Sequence, residues 1–166
     1  MKLLLCSGPG EINGEWVRLD ADPLCTPDIL ATIPPLPFKV LWEGWDEIAL
    51  IHGIEHFYLW DAEELLRECR AALNQGGKMI LEQPNILFAA HVLIGDIAPL
   101  TGTVGQSDMW PLYGDPTHRN PLFCHRWGWT PKSLTAALKK AGFGLVVETE
   151  PQTHLKERDF RLEAYA

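Results

Sequence analysis

A chain of 166 residues fits one domain and is long enough to bury a core without disulfide or metal staples. With 46% apolar and 22% charged residues it is neither disordered nor fibrous. A formal net charge of -8, with no cluster of Lys and Arg, argues against a phosphate backbone as partner, so nucleic acid is not expected.

Lys2 to Cys6 is a short apolar run with Gly8, Pro9 and Gly10 behind it, which reads as a buried strand ending in a tight turn. Trp16 to Leu19 is a second run that stops at Asp20. Only Ser7 to Glu15 separates the two, whereas a parallel crossover with its helix takes about a dozen residues or more. The connection is therefore expected to be a loop. Asp20 to Asp28, broken by Pro23 and Pro27, is too short for a second helix, and a short strand follows near Ile29 and Leu30. One face of the sheet should then be thinly covered. That calls for a partner subunit there, as in a homo-oligomer, or for large side chains such as Trp16, Trp42 and Trp45.

Pro34, Pro35 and Pro37 punctuate a loop before Trp45, and Glu47 to His52 reads as a central strand buried on both faces. Asp61 to Leu73 has helical spacing, with Asp61 as the expected N-cap and Gly76-Gly77 as the stop. Lys78 to Glu82 is the next strand. From Pro84 to Thr130 the regular pattern fades, apart from a short helix across Ile86 to Leu93. Trp110, Tyr113, Phe123, Trp127 and Trp129 make this an ordered lid, so the chain reads as a single domain over 1–166 with an insertion at about 86–130. Thr130-Pro131 opens a last helix that Gly142 closes. Gly144 to Glu150 and Phe160 to Tyr165 are two final strands, joined by a polar hairpin through Thr153 to Arg158.

Cys6, Cys25, Cys69 and Cys124 stand far apart without a CxxC pair, which suits thiols kept reduced in a cytoplasm. The apolar run behind Met1-Lys2 is shorter than the ~7–15 residues of a secretory core, and none approaches the ~20 of a spanning helix. The expectation is a cytoplasmic chain with no membrane partner.

In an open parallel sheet, ligands sit outside the carboxyl ends of the strands, and a glycine turn there lets the backbone approach them. The first two strands thus outline a nucleoside-binding crevice. The motifs Leu5-Cys6-Ser7-Gly8-Pro9-Gly10, Trp16-Val17-Arg18-Leu19-Asp20, Trp45-Asp46-Glu47-Ile48, Ile54-Glu55-His56-Phe57, Trp127-Gly128-Trp129-Thr130-Pro131 and Ala141-Gly142-Phe143 resemble a small class I S-adenosylmethionine-dependent methyltransferase. The likeness is to a compact bacterial and phage subgroup and covers nearly the whole chain. It implies an α/β, Rossmann-like methyltransferase fold: a mostly parallel seven-stranded sheet with a C-terminal antiparallel hairpin and reduced first helices.

By that resemblance the cofactor is S-adenosylmethionine. Cys6, Ser7, Gly8 and Gly10 would lie beneath its methionine portion, Asp20 would take the ribose hydroxyls, Ala31 and Thr32 would flank the adenine, and His52 and Gly53 would open toward the sulfonium. Leu4 and Ala31 stand where relatives commonly carry acids, and Cys6 where the first glycine usually sits. A catalytically inactive binding protein on the same fold is the rival reading. A dinucleotide is disfavoured, because the turn lacks the complete G-x-G-x-x-G fingerprint.

Methyl transfer needs an acceptor held in line and, for a hydroxyl, its proton removed. The lid from Trp110 to Trp127 would choose a small-molecule oxygen or nitrogen acceptor. Its His125, His118 and Tyr113 are the catalytic candidates, with Asp115 to orient a histidine. Alternatively His125 and Arg126 anchor the lid to the sheet. Glu55 and His56 read as a buried structural pair or as a site for a catalytic His56. His91, His118, Cys124 and His125 match no familiar zinc spacing, and the ribose role accounts for Asp20 beside Asp22, so no metal is expected.

Overall fold

The computed structural model describes residues 1–10, 15–100 and 106–166, with the side chains of all but 106–108. The expected loop Ser7 to Glu15 lies partly outside the described residues, and so does the lid at 101–105. Seven strands form one sheet: β1 (Lys2–Leu5), β2 (Val17–Asp20), β3 (Ile29–Leu30), β4 (Trp45–Ile51), β5 (Leu73–Pro84), β6 (Leu145–Thr149) and β7 (Asp159–Tyr165). Their order is β3-β2-β1-β4-β5-β7-β6. The first five run parallel, and β7 lies antiparallel between β5 and β6. This is the mostly parallel α/β sheet with a C-terminal antiparallel pair that the motifs imply.

Among the described residues five α-helices accompany the sheet: α1 (Phe38–Glu43), α2 (Leu59–Ala72), α3 (Ile86–Leu93), α4 (Gln106–Tyr113) and α5 (Pro131–Lys140). Strand side chains alternate between faces. On one face Leu3, Leu5, Ile48, Leu50, Met79 and Leu81 join Leu65 and Leu66 of α2 and Leu134 and Leu138 of α5 in the main core. Each such leucine, fully withdrawn from water, contributes about 1.5–3 kcal/mol.

The opposite face has a small apolar cluster of Leu4, Ala49 and Ile80, packed by Trp16 and Ile51, with no helical residue in it. Register explains how it stays dry. The neighbouring row is Lys2, Glu47 and Lys78, and the next strand places Glu163 opposite Ile80. Lys2 pairs with Glu47 at 3.2 Å and Lys78 with Glu163 at 3.1 Å. Lys2 also lies over the Trp16 ring, 5.4 Å from its centre. Long charged chains fold over the apolar strip where a helix would otherwise lie. Of the three tryptophans expected on the thin face, only Trp16 serves there. Trp45 is buried in the main core and Trp42 is exposed on α1.

Three local expectations are corrected. The proline-rich loop contains α1, six residues opened by Pro37 and too short to show a helical period. Asp61 is not the cap of α2: the helix begins two residues earlier behind Tyr58, and Asp61 sits in its first turn, where a negative charge suits the helix dipole. The same helix ends at Ala72, and Leu73 is already extended, so Gly76 (φ 77°) turns the chain within β5 instead of stopping a helix. At α5 the local chemistry acts as expected. Thr130 accepts from the Ser133 N–H at 3.0 Å, Ser133 accepts from the Thr130 N–H at 2.9 Å, and Pro131 takes the first helical position. Among the described residues no helix is long and apolar enough to cross a membrane.

Candidate active site

The carboxyl ends of β1 and β2 lock to each other through Asp20. Its Oδ2 accepts from the Gly8 N–H at 2.9 Å and its Oδ1 from the Asp22 N–H at 2.8 Å. Arg18 Nη2 closes the arrangement by donating to Gly8 O at 2.5 Å and to Cys25 O at 3.2 Å. Cys6 and Gly8 both adopt left-handed backbone, at φ 49° and 60°. For Cys6 this conformation costs about 1–2 kcal/mol, which a glycine would not incur. Burial, reinforced by the charges of Asp20 and Glu55, pushes the Cys6 thiol far above its usual range. It is a neutral packing group and not a nucleophile.

His52 directly follows β4, also in left-handed backbone at φ 49°. Its Nε2 lies 3.1 Å from Asp159 Oδ2 and its Nδ1 3.4 Å from Glu55 Oε1. Burial opposes the charge on this ring, but the hydrogen bond to Asp159 and the charge of the Glu55 carboxylate beside it outweigh that and raise the pKa to about 9. His52 is thus an imidazolium at neutral pH. Burial would likewise push Glu55 up, yet His52, helped by His56 and His125, holds its carboxyl below the usual range. His154, edge-on to His52 with ring centres 4.1 Å apart, is lowered by burial and by that neighbouring charge.

The lid is tied down at the same place. Glu55 O accepts from the N–H groups of Arg126 (2.8 Å) and Trp127 (3.2 Å). Arg126 Nη1 donates to His56 O at 2.6 Å, and its guanidinium lies 5.4 Å from the centre of the Tyr58 ring. Arg126 therefore anchors the lid. His125 Nδ1 lies 3.1 Å from Pro111 O, and its ring meets His56 at 4.9 Å. Burial lowers its pKa, against the pull of Glu55. His118 stacks flat on Phe123 with centres 4.4 Å apart, and its Nε2 is 3.8 Å from Asp115 Oδ2.

These segments enclose one cleft of about 930 Å³, within the usual span of small-molecule sites. Cys6, Ser7, Gly8, Gly10, Asp20, Ala31, His52, His118 and His125 all line it. Two candidates fall outside it. Gly53 faces the protein: a Cβ there would overlap Leu50 Cδ1 and lie 3.1 Å from Cys6 Cβ, so its part is to let the ends of β1 and β4 approach. Tyr113 is exposed and lines a neighbouring hollow of about 410 Å³. His154 and Arg158 also line the cleft, and Asp159 pairs with its His52. All three went unnoticed because a polar stretch between two strands reads as a solvated hairpin.

No protein-family model matches the sequence, and no curated protein matches it. Solved structures do. A SAM-dependent methyltransferase from Archaeoglobus fulgidus is 14% identical, with a TM-score of 0.64 over 99% of this chain and 85% of its own. An S-adenosylmethionine-dependent methyltransferase from Mesorhizobium loti is likewise 14% identical, with a TM-score of 0.64 over 99% of this chain and 90% of its own. A longer Nostoc punctiforme protein aligns to 74% of this chain at 20% identity and a TM-score of 0.49, and this chain spans only 32% of its length. The chain has the class I S-adenosylmethionine-dependent methyltransferase fold.

Proposed function

We propose that the cleft binds S-adenosylmethionine and that the chain transfers its methyl group to an oxygen or nitrogen of a small-molecule acceptor. The observation that carries this reading is the lock between the Gly8 turn and Asp20, opening onto the lid histidines within one cleft. The donor set fits the cofactor. Among the described residues Ser7 Oγ is buried without a partner, and a Cβ on Gly8 or Gly10 would meet nothing within 4 Å. Each Asp20 oxygen spends one lone pair on the backbone and keeps another for a ribose hydroxyl.

When bound, the cofactor supplies an electrophilic methyl group on a sulfonium. The chain's own part is to hold and to exclude. Asp20 and the Gly8 turn would hold the nucleoside, and Cys6 would pack behind it. The lid, pinned by Arg126, would shut water from the acceptor. His118, backed by Asp115, would accept the proton of a hydroxyl acceptor, with His125 deeper on the floor. The test is S-adenosylhomocysteine formation across a panel of small hydroxyl and amine acceptors. Turnover with at least one acceptor, with kcat reduced about 100-fold in His118→Ala, supports the reading. Cofactor binding without turnover on any acceptor would favour the inactive binding protein.

A further inference from the structure

One cluster at the cleft floor is left without a role. A carboxylate oxygen of Glu55 and one ring nitrogen each of His56 and His125 all lie within 4.8 Å of one another. Glu55 is only 2% exposed, yet among the described residues neither of its oxygens has a hydrogen-bond partner. Its nearest ionisable neighbours are His52 Nδ1 at 3.4 Å and His125 Nε2 at 3.9 Å. A carboxylate taken this far out of water is normally bonded, paired or coordinated.

We propose that Glu55, His56 and His125 form a binding site for a divalent transition-metal ion of the zinc or iron(II) type. The histidines are mounted as ligands usually are. His125 Nδ1 faces Pro111 O at 3.1 Å and His56 Nδ1 faces Cys124 O at 3.3 Å. Carbonyl oxygens only accept, so each Nδ1 carries the ring proton and each Nε2 keeps a lone pair, the outer arrangement typical of metal-bound imidazole. The mount is rigid: Glu55 and His56 share the tight turn Ile54–His56, whose carbonyls are held by Arg126 and Trp127. The cation facing Glu55 from the end of β4, His52, is already held by Asp159. Arg126 is occupied with backbone carbonyls.

Two imidazoles and one carboxylate, with remaining positions open to the cleft, suit zinc or iron(II) and not the all-oxygen shells of magnesium or calcium. Bonds of about 2.0–2.2 Å require only small side-chain rotations to draw the three atoms together. The grouping of histidines weighed from sequence is not the one assembled. His91 pairs with Asp96 at 2.9 Å, and His118 leans on Asp115. The site itself stands apart from the methyltransferase reading. Its use, holding and acidifying an acceptor oxygen, rests on that reading, and His118 then remains as the nearby base.

The test needs no cofactor, so its failure is distinct from failure of the methyltransferase reading. Protein stripped with EDTA is titrated with Zn²⁺ by calorimetry and with Co²⁺ by visible absorption. One equivalent should bind, and the cobalt spectrum should lack an intense thiolate band. Glu55→Gln and His125→Ala should weaken binding by about 100-fold or more, while Cys124→Ser and His118→Ala leave it unchanged. Circular dichroism confirms that the near-isosteric Glu55→Gln is folded, and the wild-type cobalt spectrum needs no variant. No saturable binding, a thiolate band, or wild-type affinity in Glu55→Gln would overturn the proposal.

Discussion

Glu82, on β5, has no exposed surface, and its carboxylate accepts from the N–H groups of Gln152 (2.8 Å) and Thr153 (2.7 Å) and from Arg161 Nη1 (3.1 Å). Burial opposes its charge, but these three donors prevail and hold the carboxyl below the usual range. In Glu82→Ala, buried Arg161 keeps only a 3.4 Å contact with Glu163, and the N–H groups of Gln152, Thr153 and His154 lose their acceptor. Breaking one side of such a pair costs about 3–5 kcal/mol. For a domain of this size each kcal/mol moves Tm by roughly 2–4 °C, so Tm should fall by about 6–20 °C. Melts followed by circular dichroism from pH 7 to pH 3 supply the check. Because the folded pKa is depressed, the stabilisation is complete above the unfolded carboxyl value of 4.5 and is lost as pH falls through the folded value. The gap between wild type and variant must therefore narrow in acid. A Tm drop under about 2 °C, or a gap constant across that range, would refute the reasoning.

Further outcomes follow from the same geometry. Gly53→Ala should destabilise by about 1–3 kcal/mol, because the new Cβ overlaps Leu50 and crowds Cys6; an unchanged Tm would show that the ends of β1 and β4 are looser than described. Arg126→Ala removes the bond to His56 O and the Pro121 contact, and should speed amide exchange across residues 115–127 by ~10-fold or more while leaving α5 protected. Equal exchange in both proteins would deny the anchor. In metal-free protein the His52 ring protons should titrate near pH 9. Since that value lies above the unfolded 6.5, His52 stabilises fully below pH 6.5 and loses its contribution as pH rises through about 9. A midpoint near 6.5 would show that Asp159 and Glu55 do not hold it.

What the sequence made legible was whatever depends on neighbours in the chain. Continuous apolar runs marked β1 and β4, and Thr130-Pro131 marked the start of α5, because strand burial and helix capping are local chemistry. The brevity of the links after β1 and β2 foretold a thinly covered face of the sheet, though not the Lys2, Glu47, Lys78 and Glu163 ladder that lies beside its apolar strip, which exists only once register is set. Helix α1 escaped notice because its six residues complete fewer than two turns. At the site, the glycine turn and Asp20 were visible from spacing. The joining of His52 to Asp159, 107 residues apart, and of Glu55 to His125 was not, since only the sheet order and the lid's return bring them together.

The central claim is cofactor binding through Asp20, and calorimetric titration of S-adenosylmethionine and S-adenosylhomocysteine into wild type and Asp20→Ala tests it most directly. Two ribose bonds to a charged acceptor, at about 1.5 kcal/mol each, predict micromolar binding weakened roughly 100-fold in the variant. No binding to wild type, or equal affinity in both proteins, would contradict the account.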